Sequence, residues 1–218
     1  MTSHRSHFLS WSRWLFVVGT LLLGSATVLG VSGFRAARAS QREFQQSLEA
    51  VARATAEPGA APGDVDSPLL RRSPQPPREG DLLGLVSIPR WDLVATVREG
   101  VDGETLASGA GHIPGTALPG SDGNVALAAH RDTYFRPLRD VVVGDLVRLT
   151  TLDGERLYSV VSTEIVRPED VSGLAATGDS RLTLVTCYPF SFVGSAPRRF
   201  LVRAVEIERS AVAAVYRR

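Results

Sequence analysis

Between Asp81 and Glu208 the apolar residues come in short runs and never hold a long helical period, which restricts this stretch to a β architecture. The runs are Leu83–Ile88, Val94–Arg98, Asn124–Ala129, Leu146–Thr150, Leu157–Val166, Leu182–Cys187 and Phe200–Ile207, separated by Gly, Pro, Asp and Ser. Asp153-Gly154 lies between two of them and is the dipeptide that a tight type I′ hairpin requires. Glu104–Ser108 supplies one short helix at most. Seven or eight strands in roughly 125 residues, with little helix and no internal repeat, predict a closed barrel or a sandwich.

The segments ahead of this unit have other characters. Trp14 to Phe34 runs for 21 residues without a charge, between Arg13 and Arg35. At about 1.5 Å per residue it spans roughly 30 Å, the thickness of a bilayer core. A cleaved signal peptide, with Ala37-Arg38-Ala39 as its processing site, is the rival reading, but its apolar region usually runs about 7–15 residues. The length favours an uncleaved transmembrane helix. Arginines on both sides leave its orientation undecided by charge. Gln41 to Ala56 reads as a solvated stalk that can continue helically. Glu57 to Glu79 carries Pro58, Pro62, Pro68, Pro74, Pro76 and Pro77 and reads as an extended spacer. The expected division is therefore a tail (1–13), an anchor (14–34), a stalk and spacer (35–80), a folded domain (81–208) and a tail (209–218).

Composition removes several chemistries. Formal net charge is +1 and no dense basic stretch stands out, so no nucleic-acid partner is expected. All 24 basic side chains are Arg; with no Lys, a P-loop lysine, a Schiff base and a Ser/Lys dyad are excluded. A single Cys rules out an intrachain disulfide, and with four His it rules out a Cys-rich zinc site. No metal or cofactor is called for.

The one cysteine is the informative residue. Cys187 closes the run Arg181–Cys187 and Tyr188-Pro189 follows at once, so the thiol is expected at a strand's end where sheet gives way to loop. Strand alternation puts Thr183, Val185 and Cys187 on one face and Leu182, Leu184 and Thr186 on the other. A lone Cys is otherwise a small buried hydrophobe. Only His112 and His130 fall in the folded unit. His130 follows the run Asn124–Ala129 and stands at a strand's end. His112 sits in a Gly/Pro-rich loop, either bonded to backbone or part of a site. An imidazole near a thiol favours thiolate and moves protons. Asp132 orients His130 if the strand persists, and otherwise caps a turn. Arg198 and Arg199 open the last run; with Phe200, Val202 and Ala204 facing inward, alternation puts Arg199 on the outer face. A guanidinium there can donate to an oxyanion, or simply be solvated.

Taken together these residues resemble the sortase family, the membrane-anchored cysteine transpeptidases of bacterial surfaces. The signature T-L-x-T-C stands as Thr183-Leu184-Val185-Thr186-Cys187, with a histidine ending an upstream strand and an arginine opening the next. The text from Gly123 to Leu138 and Thr186-Cys187-Tyr188-Pro189-Phe190 is most similar to class D sortases. Ala129 departs from the pattern, standing before His130 where many relatives have Gly. The resemblance covers about residues 82–208 and the order anchor, spacer, catalytic domain.

It implies a mainly β fold, an eight-stranded sortase-type barrel with few short helices behind one N-terminal transmembrane helix. Cys187 would attack the Thr–Gly bond of a sorting signal such as Leu-Pro-x-Thr-Gly. His130 would protonate the leaving amine and activate the incoming one, and Arg199 would stabilise the oxyanion. Thr186 would assist substrate contact, with Arg198 a second arginine candidate for binding substrate. The implied partners are surface proteins bearing a C-terminal sorting signal and an amine acceptor in the envelope. The implied place is a bacterial cytoplasmic membrane, with the domain on the outer side. A membrane-anchored cysteine peptidase and a non-catalytic envelope-binding module remain as alternatives. A redox-sensing thiol fits poorly without a resolving cysteine.

Overall fold

The computed structural model describes residues 76–192 and 194–208, together with Arg42, Gln45, Gln46 and Glu49, which are helical and exposed. Residues 14–34, read above as an anchor, lie outside the described residues. No helix among those described is long and apolar enough to cross a membrane.

Eight strands close into a barrel in the order β1-β2-β3-β4-β7-β8-β6-β5. They are β1 (Leu82–Ile88), β2 (Leu93–Glu99), β3 (Ala110–His112), β4 (Asn124–Ala128), β5 (Leu146–Thr151), β6 (Gly154–Val166), β7 (Arg181–Tyr188) and β8 (Arg198–Ile207). Closure leaves no edge strand and resolves the barrel-or-sandwich choice. Two neighbouring pairs run parallel, β2 with β3 and β4 with β7; the others are antiparallel. A parallel pair needs a crossover. For β2 and β3 this is the short helix α1 (Gly103–Ser108), capped by Asp102, whose Oδ1 accepts from the Glu104 amide at 2.8 Å and the Thr105 amide at 3.1 Å.

The barrel interior is filled by alternate residues of its strands. Val86, Val97, Val125, Leu127, Leu182, Leu184 and Val202 are all fully buried. On β4 the inward set is Val125, Leu127 and Ala129, so Asn124, Ala126 and Ala128 face outward. After β4 the chain turns back into this core: Phe135 and Leu138 are fully buried, and the Phe135 amide donates to the His130 carbonyl at 3.1 Å.

Two local expectations are corrected. The connection between β5 and β6 is a hairpin, but Thr151 pairs with Gly154, so the turn residues are Leu152 and Asp153. The only positive φ there is that of Gly154, at 132°, whereas a type I′ turn needs it at both central residues. A leucine disfavours that conformation, and the glycine absorbs it one position later. The second correction is β3, three residues long and absent from the reading of runs. Its Gly111 lies so close to β2 that a Cβ would run into the Gly100 carbonyl.

At the barrel end where β8 finishes, Arg156 joins β6 to Glu206 of β8 at 2.8 Å and to Asp122 at 3.0 Å. Beneath it Tyr158 is fully buried, and its hydroxyl finds no well-aligned partner among the described residues. Burial, reinforced by the nearby Glu206 charge, pushes this phenol up to about 12. An unfolded tyrosine ionises near its ordinary value of about 10, so the raised folded value stabilises the fold below that pH. That contribution is lost as pH climbs toward 12. With no lysine in the chain, tyrosines dominate this alkaline range. Urea unfolding should therefore show stability falling by roughly 2–3 kcal/mol between pH 10 and 12. Tyr158→Phe should flatten that loss and leave stability at pH 7 unchanged or raised; a Phe variant with the same alkaline slope would contradict the assignment.

Candidate active site

Cys187 is the penultimate residue of β7, half-buried, with a free thiol. Inward-facing Leu182, Leu184 and Thr186 are sealed in the barrel, so Cys187 stands on the outer face with Thr183 and Val185. Two neighbouring strands bring the other candidates to it. In the antiparallel β7–β8 pair Cys187 lies directly opposite Arg199, and Tyr188 opposite Arg198. Residues so opposed have Cβ atoms about 4.5–5.5 Å apart on one face. Arg199 is the arginine beside the thiol, and Arg198 is an exposed residue of the opposite parity at the barrel rim.

In the parallel β4–β7 pair Ala128 lies beside Val185, and the Ala129 amide continues the ladder to the Val185 carbonyl at 3.2 Å. His130 follows two residues after the end of β4, at the barrel end where β7 carries Cys187. His130 is exposed. Cys187 and Arg199 thus face each other across β7 and β8 on the outer face, and His130 follows the end of β4 at the same barrel end.

The Arg199 Nη1 donates to the carbonyls of Ala196 at 3.3 Å and Arg198 at 3.1 Å. These bonds hold the guanidinium on its own loop, and its remaining N–H groups make no hydrogen bond among the described residues. On the inward side Tyr188, Phe190 and Phe200 form an aromatic plug, with the Phe190 and Phe200 rings at 5.4 Å and inclined at 69°. Arg131 closes the other side: its Nη2 donates to the carbonyls of Phe192 at 2.6 Å and Gly194 at 3.0 Å, binding the segment after His130 to the β7–β8 connection.

Three expectations change. Thr186 is 2 % exposed and faces the barrel interior, away from the thiol; its hydroxyl donates to the Ala129 carbonyl at 2.7 Å. It holds the end of β4 against β7 and does not reach the outer face where substrate would lie. Asp132 sits in the turn after β4, which ends at Ala128, so it does not share a strand face with His130. It is exposed and makes no hydrogen bond to His130 among the described residues. His112 is a buried residue of β3: Nδ1 meets Glu99 Oε2 at 2.7 Å, and Nε2 meets the Ala117 carbonyl and Thr116 Oγ1, both at 3.0 Å. Those contacts occupy both ring nitrogens in joining β2, β3 and the following loop.

Sequence reading passed over Arg131 and Asn124. Asn124 is the one polar side chain in an otherwise apolar β4, and strand parity puts it on the same outward face as Ala128. The Thr186 bond carries its own expectation. Thr186→Val keeps the volume but leaves the Ala129 carbonyl without its donor, a loss of about 1–3 kcal/mol of stability by thermal or urea unfolding. A variant as stable as the parent would contradict this role.

Residues 86–207 match the sortase domain family model. Sortase D of Bacillus subtilis is 31% identical over 191 residues, covering 86% of this chain and 94% of that protein. Sortase A of Streptococcus agalactiae is 27% identical over 223 residues, covering 93% and 87%. Among solved structures, a Clostridium perfringens sortase D5 transpeptidase superposes with a TM-score of 0.61 at 23% identity, over 80% of this chain and 99% of its own, a likeness of fold. Sortase C1 from Streptococcus agalactiae gives 0.55 at 30% identity, over 59% and 68%. The eight-stranded barrel, the T-L-x-T-C run at the end of β7 and these relatives lead to one assignment: the chain belongs to the sortase family of cysteine transpeptidases.

Proposed function

We propose that this sortase is anchored in a bacterial cytoplasmic membrane through residues 14–34, with its barrel on the outer side. It cleaves a Leu-Pro-x-Thr-Gly-type sorting signal between Thr and Gly and transfers the Thr acyl group to an amine of the envelope or of a partner protein. What supports this reading is Cys187 opposite Arg199 in the β7–β8 register, with His130 just past the end of the neighbouring β4. A nucleophile, a proton carrier and an oxyanion donor gathered at one barrel end are the groups acyl transfer needs.

The steps follow from those groups. Cys187 gives its proton to His130 and its sulfur attacks the Thr carbonyl carbon; a C–S bond forms, and the oxygen takes up negative charge beside the uncommitted N–H groups of Arg199. His130 gives a proton to the Gly nitrogen, the C–N bond breaks, and the amine departs from a thioacyl enzyme. An incoming amine attacks the same carbon while losing its proton to His130. The C–S bond then breaks and Cys187 is restored. The exposure of His130 suits an acceptor that approaches from solvent.

The test uses the full chain in mild detergent, Leu-Pro-x-Thr-Gly peptides, and intact mass with and without an added amine. The parent should form an adduct equal to the peptide fragment ending in Thr and pass it to the amine. Cys187→Ala should form none. His130→Ala should lower kcat by about 10²–10⁴, and Arg199→Ala by about 10²–10³, while Arg198→Ala stays within a few-fold of the parent. Release to water alone, at any amine concentration, would make the chain a peptidase. Peptide binding that survives in Cys187→Ala, with no turnover by the parent, would make it a binding module.

A further inference from the structure

We infer that Asn124 and Thr183 are positioning residues that hold the β6–β7 connection against the outer face of the sheet and so bound the stretch of that face beside Cys187 where the peptide lies. This rests on the function proposed above, in which the peptide binds on the outer face beside Cys187. The Asn124 Nδ2 donates to the carbonyls of Gly173 at 2.9 Å and Ala175 at 3.0 Å, and its Oδ1 accepts from the Thr183 hydroxyl at 2.9 Å. Both side chains are nearly inaccessible, at 3 % and 2 %, although they face away from the barrel core. What covers them is the 3-10 turn Ser172–Leu174. Its Gly173 lies on Leu201 of β8 so tightly that a Cβ would collide with the leucine side chain.

The register shows why this contact matters at the thiol. Leu201 lies opposite Val185, and Arg199 opposite Cys187. The contact with Leu201 therefore lies two residues short of the Cys187–Arg199 pair, about 7 Å at strand rise. The sheet opens at Val185, and the pinned turn is the wall at that end. Each polar group of the Asn124 amide is used, both N–H donors on loop carbonyls and the oxygen on Thr183. The core packs against the other face of β4 and β7, so the staple acts on the loop and not on the core.

The experiment compares Asn124→Ala, Thr183→Val and Thr183→Ser with the parent, as full chains in mild detergent. It reads backbone hydrogen exchange and steady-state kinetics with a Leu-Pro-x-Thr-Gly peptide and an amine. Asn124→Ala and Thr183→Val should speed exchange across residues 170–177 roughly tenfold or more, the effect of one or two lost hydrogen bonds. Protection of β7 and β8 should stay as in the parent. KM should rise by a similar factor with kcat within about threefold, the mark of a binding wall rather than of the reacting groups. Thr183→Ser keeps the hydroxyl and should behave as the parent. Unchanged exchange in both disruptive variants would overturn the staple. Faster exchange spread into β7 and β8 would do the same, making these residues supports of the barrel. Faster loop exchange with an unchanged KM would overturn the link to peptide binding. If the parent turns over no peptide, the function proposed above fails, and the exchange data still decide the staple.

Discussion

The parallel pairing of β4 with β7 is the constraint on which the site depends. Most strand pairs in this barrel are antiparallel, and such neighbours end at opposite poles of their chains. A parallel pair ends at the same pole. Because β4 and β7 run the same way, the segment that follows β4, with His130 its second residue, and the penultimate residue of β7 arrive at the same barrel end. β8, antiparallel to β7, then begins where β7 finishes and delivers Arg199 opposite Cys187. Strand direction and register bring all three residues to one barrel end.

The threonines of the T-L-x-T-C run serve that arrangement from opposite faces. Thr186 points inward and holds the backbone of Ala129, one residue before His130. Thr183 points outward and holds Asn124, which in turn holds the β6–β7 connection. Leu184 between them is a core residue. The run is thus a strand whose two faces each carry one tie, with the thiol as its last outward residue. Arg131 supplies the remaining tie, across to the β7–β8 connection.

Much of this was legible in the sequence, and what was not has physical reasons. Seven of the eight strands announced themselves as apolar runs, with ends within about three residues of their final positions, the usual margin for boundaries. β3 did not, because Ala110-Gly111-His112 is too short and too poor in side chains to make a run. Alternation along β8 chose Arg199 over Arg198, and the register with Cys187 agrees. Alternation also put Thr186 on the face away from the thiol, but family resemblance outweighed it and suggested a substrate contact. His112 could not be resolved from sequence, since its partners Glu99, Thr116 and Ala117 come together only through β2–β3 pairing. Asn124 went unnoticed because the groups it holds, the Gly173 and Ala175 carbonyls, are 49 and 51 residues away.

The bond from Thr186 to Ala129 joins residues 57 apart in the chain, and everything between must be in place for it to form. Closing a loop of that length costs entropy before any contact repays it, so such pairings come late in folding. On the proposed mechanism, activity then requires the β4–β7 seam as well as the β7–β8 pair: without the seam, His130 is not held at the barrel end that carries Cys187.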